Sequence, residues 1–334
     1  MLVKTGHHDA ALEHLNRAVE ISSRIGNLRW LANHLSVIGG VQLARGEYDK
    51  ALENYQGSVA IYKKIGDLAA LPGVISNIGV VRRQRGDYEA ALQCSKEALA
   101  LAKKLGRAKE VALHLANIAD ALRIRGEYVE ALENLERSVA IEERVGDKHM
   151  VALYLCALGD VCFDMGNEGE ALKNYEKSVA MQEEMGERMN LSWAFERLSR
   201  VRLERGENGE ALNAGDRALA LAVEMGQKDY AAGAKRALGA VYRELGKWDE
   251  AIENLEGSIR VWAELGSPAE EAASFYDLGL LWSRKGDTAR AEEFLRKAIE
   301  MSEKVGSAAT LRKAREAYED VRQTLAEKGR AKRS

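Results

Sequence analysis

The chain has 334 residues, of which 30% are charged and 46% are hydrophobic, and its formal net charge is −3. A charge this close to neutral argues against a general attraction to nucleic acid or to anionic membrane surfaces. The sequence has no apolar run of the roughly 18 residues that cross a membrane and no signal-peptide pattern at its start. We therefore expect a cytoplasmic protein without a membrane partner.

Two series of glycines, each with a spacing of forty residues, divide the chain into predicted helices. The segments between them carry apolar residues at helical spacing, as Tyr48, Leu52 and Tyr55 do. Glycine favours the left-handed conformation that ends many helices. The pattern predicts an all-α fold of about 16 helices, with turns at Gly6, Gly46, Gly86, Gly126, Gly166, Gly206, Gly246 and Gly286, and at Gly26, Gly66, Gly106, Gly146, Gly186, Gly226, Gly266 and Gly306.

The predicted elements begin with a partial repeat at residues 1–27, which holds the end of one helix and a complete second helix. Seven complete helix pairs follow at 28–306, then a polar C-terminal capping helix at 307–328 and a basic tail at 329–334. The start within a repeat indicates either a fragment of a longer protein or an unusual first repeat. We expect this N-terminal edge to leave apolar residues partly uncovered, which makes it a candidate surface for self-association: Leu12, Leu15 and Val19.

Local patterns predict how individual helices start. Ser267, Pro268 and Glu270 form a capping-box pattern with proline in the first turn. Pro72-Gly73 lies about one turn inside its predicted helix, so we expect that helix to start late or to bend. Several aspartates that follow turn glycines are candidate N-caps: Asp67, Asp87, Asp147 and Asp287.

The forty-residue unit resembles the tetratricopeptide repeat (TPR). The resemblance covers nearly the whole chain and rests on residues such as Leu35, Ile38, Gly39, Gly46, Tyr48, Ala51, Tyr55 and Ser58. The long helices are similar to those of kinesin light chains, Pins-type adaptors and the C-terminal TPR arms of bacterial regulatory ATPases. The resemblance implies a right-handed α-solenoid of antiparallel helix pairs, a TPR superhelix in which the first helices line a concave groove and the second helices form the convex face.

Helical spacing on the first helices then selects the side chains that we expect in this groove. The candidates are Asn33, Asn77, Arg83, Asn117, Asp120, Arg123, Asp160, Phe163, Trp193, Arg197, Arg200, Arg236, Arg243 and Tyr276.

Asn77 and Asn117 occupy equivalent positions in adjacent repeats. An amide both donates and accepts hydrogen bonds, so a series of asparagines can hold the backbone of an extended peptide. The series is short, because other residues replace asparagine in the later repeats. The alternative is that both side chains are simply solvated.

Arginines are frequent among the candidates, and guanidinium groups bind carboxylates and phosphates well. Glu196, Glu204 and Glu244 lie close enough in sequence to neutralise some of them, so internal ion pairs are the alternative. Phe163, Trp193 and Tyr276 are candidate apolar anchors between charged contacts.

The sequence carries no motif for catalysis or for a cofactor. It lacks a phosphate-binding Gly-Lys-Ser/Thr loop, a His-Glu-x-x-His motif and a Cys-x-x-Cys pair. The six histidines are scattered, and the three cysteines suit reduced thiols in a cytosolic protein. We expect neither an enzyme nor a metal site.

Three functions remain open at this point. The first is a scaffold that binds a peptide or protein segment with acidic residues in the groove. The second is the ligand-sensing arm of a larger signalling protein, such as a regulatory ATPase. Binding of nucleic acid through the groove arginines is the weakest of the three, because the net charge is negative.

Overall fold

The structure is a computed structural model that describes residues 8–331; for Ala308 and residues 325–331 it describes the backbone alone. The predicted turn at Gly6 and residues 332–334 of the predicted tail lie outside this range. Between residues 8 and 331 the chain forms sixteen α-helices and no β-strand, which confirms the all-α prediction. They are α1 His8–Arg24, α2 Leu28–Ala44, α3 Tyr48–Lys64, α4 Leu71–Gln84, α5 Tyr88–Lys104, α6 Ala108–Arg125, α7 Tyr128–Val145, α8 Lys148–Asp164, α9 Glu168–Glu184, α10 Leu191–Glu204, α11 Asn208–Glu224, α12 Lys228–Glu244, α13 Trp248–Leu265, α14 Pro268–Lys285, α15 Thr288–Val305 and α16 Ala308–Ala331.

The helices belong to two compact units, which divide inside α8. The first unit ends at Tyr154 and the second begins at Leu155. Within each unit a helix packs against the next one in the chain, as α2 does on α3 and α12 on α13. Even-numbered helices also contact each other, α2 with α4 in the first unit and α10, α12, α14 and α16 in succession in the second. We call the even-numbered helices the first-helix layer.

Left-handed glycines end the helices where the sequence predicts turns. Every glycine of the two series from Gly26 to Gly306 has a positive φ, between 63° and 89°. At the end of α2, for example, Gly46 donates its amide to the carbonyl of Leu43, and Glu47 donates to that of Gln42. Any residue with a Cβ would be strained by roughly 1–2 kcal/mol in this conformation. The twenty-residue alternation of helix and turn therefore follows from the glycine positions.

Three of the four predicted aspartate caps form. The side chains of Asp87, Asp147 and Asp287 each accept a hydrogen bond from the backbone amide three residues later. Asp67 makes an ion pair with Arg29 at 2.8 Å instead. The helix after Asp67 starts only at Leu71, with Pro72 in its first turn, which confirms the predicted late start.

The predicted capping box at Ser267 is wrong. Ser267 is the N-cap residue of α14 and Pro268 lies in the first turn, but the serine side chain makes no capping hydrogen bond. Glu270, the other half of the predicted box, accepts a hydrogen bond from Arg236 of α12 at 3.0 Å. A charge-assisted contact between neighbouring helices has replaced the local one.

Small residues allow the helices to approach closely in both units. Ala51 in the first unit and Ala251 in the second are fully buried, as the repeat pattern predicts. A Cβ at Gly159 would lie 2.5 Å from the ring of Tyr175, whose hydroxyl donates to Asp160 at 2.7 Å. Glycine at position 159 thus makes room for a buried tyrosine, and the tyrosine fixes a carboxylate in the first-helix layer.

Residues 8–331 contain neither a membrane-spanning helix nor a disulfide. None of the helices between residues 8 and 331 is long and apolar enough to cross a membrane. Cys94, Cys156 and Cys162 form no disulfide, and the last two are buried.

Candidate functional site

All of the candidate groove residues lie in the first-helix layer. In the first unit they come from α2, α4 and α6: Asn33, Asn77, Arg83, Asn117, Asp120 and Arg123. In the second unit they come from α8, α10, α12 and α14: Asp160, Phe163, Trp193, Arg197, Arg200, Arg236, Arg243 and Tyr276.

The three asparagines of the first unit differ in their surroundings. Asn33 and Asn77 line one cavity of about 440 Å³, and Asn77 makes no side-chain hydrogen bond within residues 8–331. Asn117 lines a smaller cavity of about 60 Å³ and donates to the hydroxyl of Ser76 at 3.3 Å. The side-chain amide of Asn77 can thus make all of its hydrogen bonds to a ligand, whereas that of Asn117 already donates one within the protein.

His114 is a polar residue of this region that the sequence analysis did not single out. It borders the same cavity as Asn77, is 1% exposed, and neither of its ring nitrogens has a hydrogen-bond partner among the described residues. Burial lowers the pKa of His114, and the charge of Glu110 opposes the shift in part. The imidazole is therefore neutral at physiological pH.

The repeat itself carried the information needed to find His114. The equivalent histidine two repeats earlier, His34, lies 3.1 Å from the hydroxyl of Ser22. The residue equivalent to Ser22 is Ala102, which has no hydroxyl. His114 thus occupies a position where an imidazole can be bonded but where its own repeat lacks the partner.

The arginines of the first unit are paired with an aspartate. Asp120 lies 3.3 Å from Arg83 and 3.2 Å from Arg123. The side chain of Arg83 is 42% exposed, so its pair contributes little to stability. These contacts correspond to the internal ion pairs that the sequence analysis left open as the alternative.

Two arginines of the second unit are each held between two carboxylates. Arg197 lies 2.9 Å from Asp160 and 2.8 Å from Glu196. Arg236 lies 2.9 Å from Asp277 and 3.0 Å from Glu270. Burial acts to lower the pKa of both arginines, but the nearby carboxylates outweigh it and the pKa of each is raised. Both guanidinium groups are already engaged inside the protein.

The remaining two candidate arginines, Arg200 and Arg243, border what we call the basic cavity, which has a volume of about 220 Å³. Four basic side chains line it against two carboxylates, together with two aromatic rings: Arg200, Arg236, Arg243 and Lys313; Glu204 and Asp277; Phe163 and Tyr276. The guanidinium of Arg200 lies over the ring of Phe163 at 5.3 Å, and its nearest carboxylate oxygen, on Glu196, is 3.8 Å away. The Nε of Arg243 donates to Glu244 at 3.3 Å, but its Nη1 is buried without a hydrogen-bond partner among the described residues.

The basic cavity therefore has unused capacity for an anion. A buried N–H without a partner costs roughly 1–3 kcal/mol, and a carboxylate or phosphate is the strongest acceptor that could satisfy it. Burial also raises the pKa of Tyr276, which keeps its hydroxyl protonated as a donor.

A second cavity of this unit, which we call the aromatic cavity, has a volume of about 480 Å³. Its walls include Trp193, Tyr230 and Trp262, together with Asp229 and Glu270. Only Trp193 of these five was a predicted groove residue. Trp262 was missed because the predicted groove residues were taken from the first helices alone. Trp262 comes from the end of a second helix, α13. Its repeat equivalent Tyr62 lines a cavity in the first unit, so comparison of the repeats could have found it.

A model of the tetratricopeptide repeat family matches residues 1–64, 71–144, 110–184, 150–222 and 230–304. The chain belongs to the tetratricopeptide repeat family. With the sixteen described helices, this confirms the predicted class of fold, an all-α TPR solenoid. No curated protein matches the chain.

Several solved structures share the fold at low sequence identity. The Rap conjugation gene regulator of plasmid pLS20, solved in complex with the Phr* peptide, is 17% identical with a TM-score of 0.71, and the match covers 85% of this chain and 77% of that one. The apo quorum sensor NprR from B. thuringiensis is 17% identical with a TM-score of 0.69, covering 90% and 84%. A STAND ATPase with a TPR sensor from Pyrococcus horikoshii is 15% identical with a TM-score of 0.58, covering 96% and 54%.

Proposed function

We propose that this TPR protein is a non-catalytic binding module that holds a peptide or protein segment with acidic residues against its first-helix layer. The observation that carries the proposal is the basic cavity, where, among the described residues, Arg243 has a buried Nη1 without a partner and Arg200 has no carboxylate closer than 3.8 Å. The Rap conjugation gene regulator of plasmid pLS20, which has a similar fold and was solved in complex with a peptide, supports it.

The proposal narrows the set of arginines that recognise the partner. Arg83, Arg123, Arg197 and Arg236 are ion-paired within the protein, so they act as a charged framework. Arg243 contacts Glu244 through its Nε at 3.3 Å but keeps an Nη1 without a partner among the described residues. Arg200 and Arg243 bind the acidic group, with Lys313 beside them and Phe163 and Tyr276 as the flat apolar walls. The module acts in the cytoplasm, where its three thiols stay reduced.

Selection of peptides from a random display library on the full chain tests this function. We expect enrichment of sequences with aspartate or glutamate. Fluorescence anisotropy of an enriched peptide should show a loss of affinity of at least about tenfold for Arg200→Gln with Arg243→Gln, because hydrogen bonds to charged groups contribute roughly 1.5–3 kcal/mol.

Arg260→Gln is the matched control, since Arg260 is an exposed arginine of the second-helix α13. It should bind the peptide as the parent does. The absence of any enriched peptide, or equal affinity of the double variant and the parent, would contradict the proposal.

A second candidate function is a ligand-sensing arm of a larger signalling protein. The similarity of fold to a STAND ATPase with a TPR sensor favours it, because the match covers 96% of this chain and 54% of the ATPase. The coding sequence upstream of residue 1 tests it directly. A nucleotide-binding loop encoded there would support the sensor arm, and a stop codon immediately before residue 1 would exclude it.

Self-association through the N-terminal edge is a further part of the proposal. Leu12, Leu15 and Val19 of α1 are half-buried, and Ile25 at the end of this helix is 67% exposed. Sedimentation equilibrium should show concentration-dependent dimers that Ile25→Lys weakens. A monomer at all concentrations would rule out this interface.

A further inference from the structure

The charges around the aromatic cavity favour a cation. Two guanidinium groups line it, those of Arg197 and Arg236, against three carboxylates: Glu196, Asp229 and Glu270. Both arginines are also paired with a carboxylate outside the lining, Asp160 and Asp277 respectively. Asp229 is exposed at the start of α12 and has no ion pair among the described residues. The local balance is therefore negative, although arginines line the walls.

The aromatic rings of this cavity are a second reason to expect a cation there. The guanidinium of Arg197 already lies 5.7 Å from the ring centre of Trp193, so one ring of the cavity engages a cation within the protein. Tyr230 and Trp262 have no such cation over them among the described residues. Ring faces attract cations because of their quadrupole, and the attraction is strongest for tryptophan.

Trp262 also has an unused donor. Its indole Nε1 is buried without an acceptor among the described residues. A peptide carbonyl beside the cation would satisfy this N–H and remove its cost. The cavity thus combines aromatic faces, a carboxylate without an ion pair and an indole N–H without an acceptor among the described residues. Together these groups match one residue of a peptide with a cationic side chain.

The first unit contains the equivalent cavity with different chemistry. Its aromatic pair, Trp30 and Tyr62, stands where Tyr230 and Trp262 stand five repeats later, around a volume of about 360 Å³. The residue equivalent to Asp229 is Arg29, which pairs with Asp67 at 2.8 Å. The scaffold thus repeats the aromatic pair but replaces the free carboxylate by a neutralised arginine.

We infer that the aromatic cavity of the second unit binds the cationic side chain of a lysine or arginine in the partner segment, between Tyr230, Trp262 and Asp229. The inference rests on the proposed function and deepens it: the partner carries a basic residue for this cavity as well as an acidic residue for the basic cavity.

The probes that test it are N-acetyl-arginine amide and its uncharged isostere N-acetyl-citrulline amide, titrated into the full chain at low salt. The readout is the indole N–H signals in ¹H–¹⁵N spectra, which report on Trp262 directly once assigned with Trp262→Leu. We expect saturable shifts of the Trp262 signal with arginine amide in the millimolar range, and at least fivefold weaker binding of citrulline amide. Raising the salt concentration should weaken the charged probe alone.

Variants at position 229 keep the test independent of folding, because Asp229 is exposed. Asp229→Asn should weaken the binding of N-acetyl-arginine amide about threefold. Asp229→Arg, which copies the first unit, should weaken it about tenfold. Asp249→Asn is the matched control, an exposed aspartate in the first turn of α13, and should change nothing.

Equal shifts of Trp262 with both probes, no shift with either, or unchanged affinity in Asp229→Arg would overturn the inference. Its failure is distinguishable from failure of the proposed function. If display peptides bind through Arg200 and Arg243 while arginine amide does not reach Trp262, the binding module stands and the cation site falls. If arginine amide binds at Trp262 but the library yields no peptide, the cation site stands and the peptide function falls.

Discussion

The two units use the same repeat to build first-helix layers of different character. In the first unit two neutral polar residues, Asn77 and His114, border one cavity, and neither ring nitrogen of His114 has a partner among the described residues. In the second unit the cavities of the first-helix layer are bordered by Arg243 and Trp262, each with one buried N–H that lacks a partner among the described residues. Since the helix pairs and turn glycines are the same in both, the side chains at equivalent positions, and not the backbone, decide what each unit can hold.

The largest expected difference between the units concerns their groove arginines. Arg197→Met would leave Asp160 and Glu196 without their shared cation, and removing one partner of a buried pair costs roughly 3–5 kcal/mol. Because the Arg197 side chain is still 25% exposed, we expect about 2–3 kcal/mol, measured as a lower midpoint of urea unfolding. Arg83→Met in the first unit, whose pair with Asp120 is exposed, should cost less than about 1 kcal/mol. Equal losses in the two variants would contradict the difference.

The next effect concerns glycines at equivalent positions of the two units. A Cβ at Gly159 would lie 2.5 Å from the ring of Tyr175, and one at Gly79 would lie 3.2 Å from the Cβ of Cys94. Tyr175 is tied to Asp160 by its hydroxyl, so the ring cannot move aside easily. Gly159→Ala should therefore destabilise by about 2 kcal/mol. At Gly79 the better helix propensity of alanine offsets most of the milder overlap. Thermal unfolding measures the stability of both variants. An unchanged unfolding temperature of Gly159→Ala would contradict the close packing of Gly159 against Tyr175.

All six histidines precede residue 150, so a change in stability caused by histidine protonation should be confined to the first unit. Burial lowers the pKa of His114 in the folded state, so the unfolded chain binds the proton more tightly. Stability should fall as the pH decreases through about 6.5, the ordinary value for histidine. Hydrogen exchange at pH 7.5 and 5.5 should show the loss of protection in α5 and α6 of the parent. His114→Leu should abolish that loss, and an equal loss in the variant would assign it to another group.

The smallest effect distinguishes the asparagines. Asn117→Ala removes the 3.3 Å hydrogen bond to Ser76, which costs about 0.5 kcal/mol, whereas Asn77→Ala should leave stability unchanged. Together the two replacements should weaken binding of a selected peptide and leave the helical circular dichroism signal intact. Unchanged peptide affinity would show that the amides do not hold a peptide backbone.

The repeat architecture was predictable because its determinants are local. The left-handed conformation at Gly46 depends on glycine alone, and the late start of α4 follows from Pro72. Helix α10 starts equally late, at Leu191, but no proline in its sequence predicts this. There the backbone amide of Met189 donates to the side chain of Glu187. Contacts of this kind compete with helix initiation and leave no distinct sequence pattern.

For the candidate site, the sequence predicted which helices carry the charged residues but not which of these residues form ion pairs with each other. Helical spacing put Arg197, Arg236 and Asp160 in the first-helix layer, where they are. It could not show that Asp160, 37 residues earlier, is the partner of Arg197, nor that Glu270 turns from its own helix start to Arg236. Such pairings depend on side-chain reach between helices. Trp262 was missed because a residue at the end of a second helix also reaches a cavity of the first-helix layer.

Photo-crosslinking of a display-selected peptide tests the central claim most directly. A benzophenone group is placed at each peptide position in turn, and the labelled residues of the full chain are found by mass spectrometry. We expect crosslinks in α10, α12 and α14 around Arg243 and at the end of α13 around Trp262, lost on competition with unlabelled peptide. Competed crosslinks confined to α9, α11 and α15 would place binding on the second helices and contradict it.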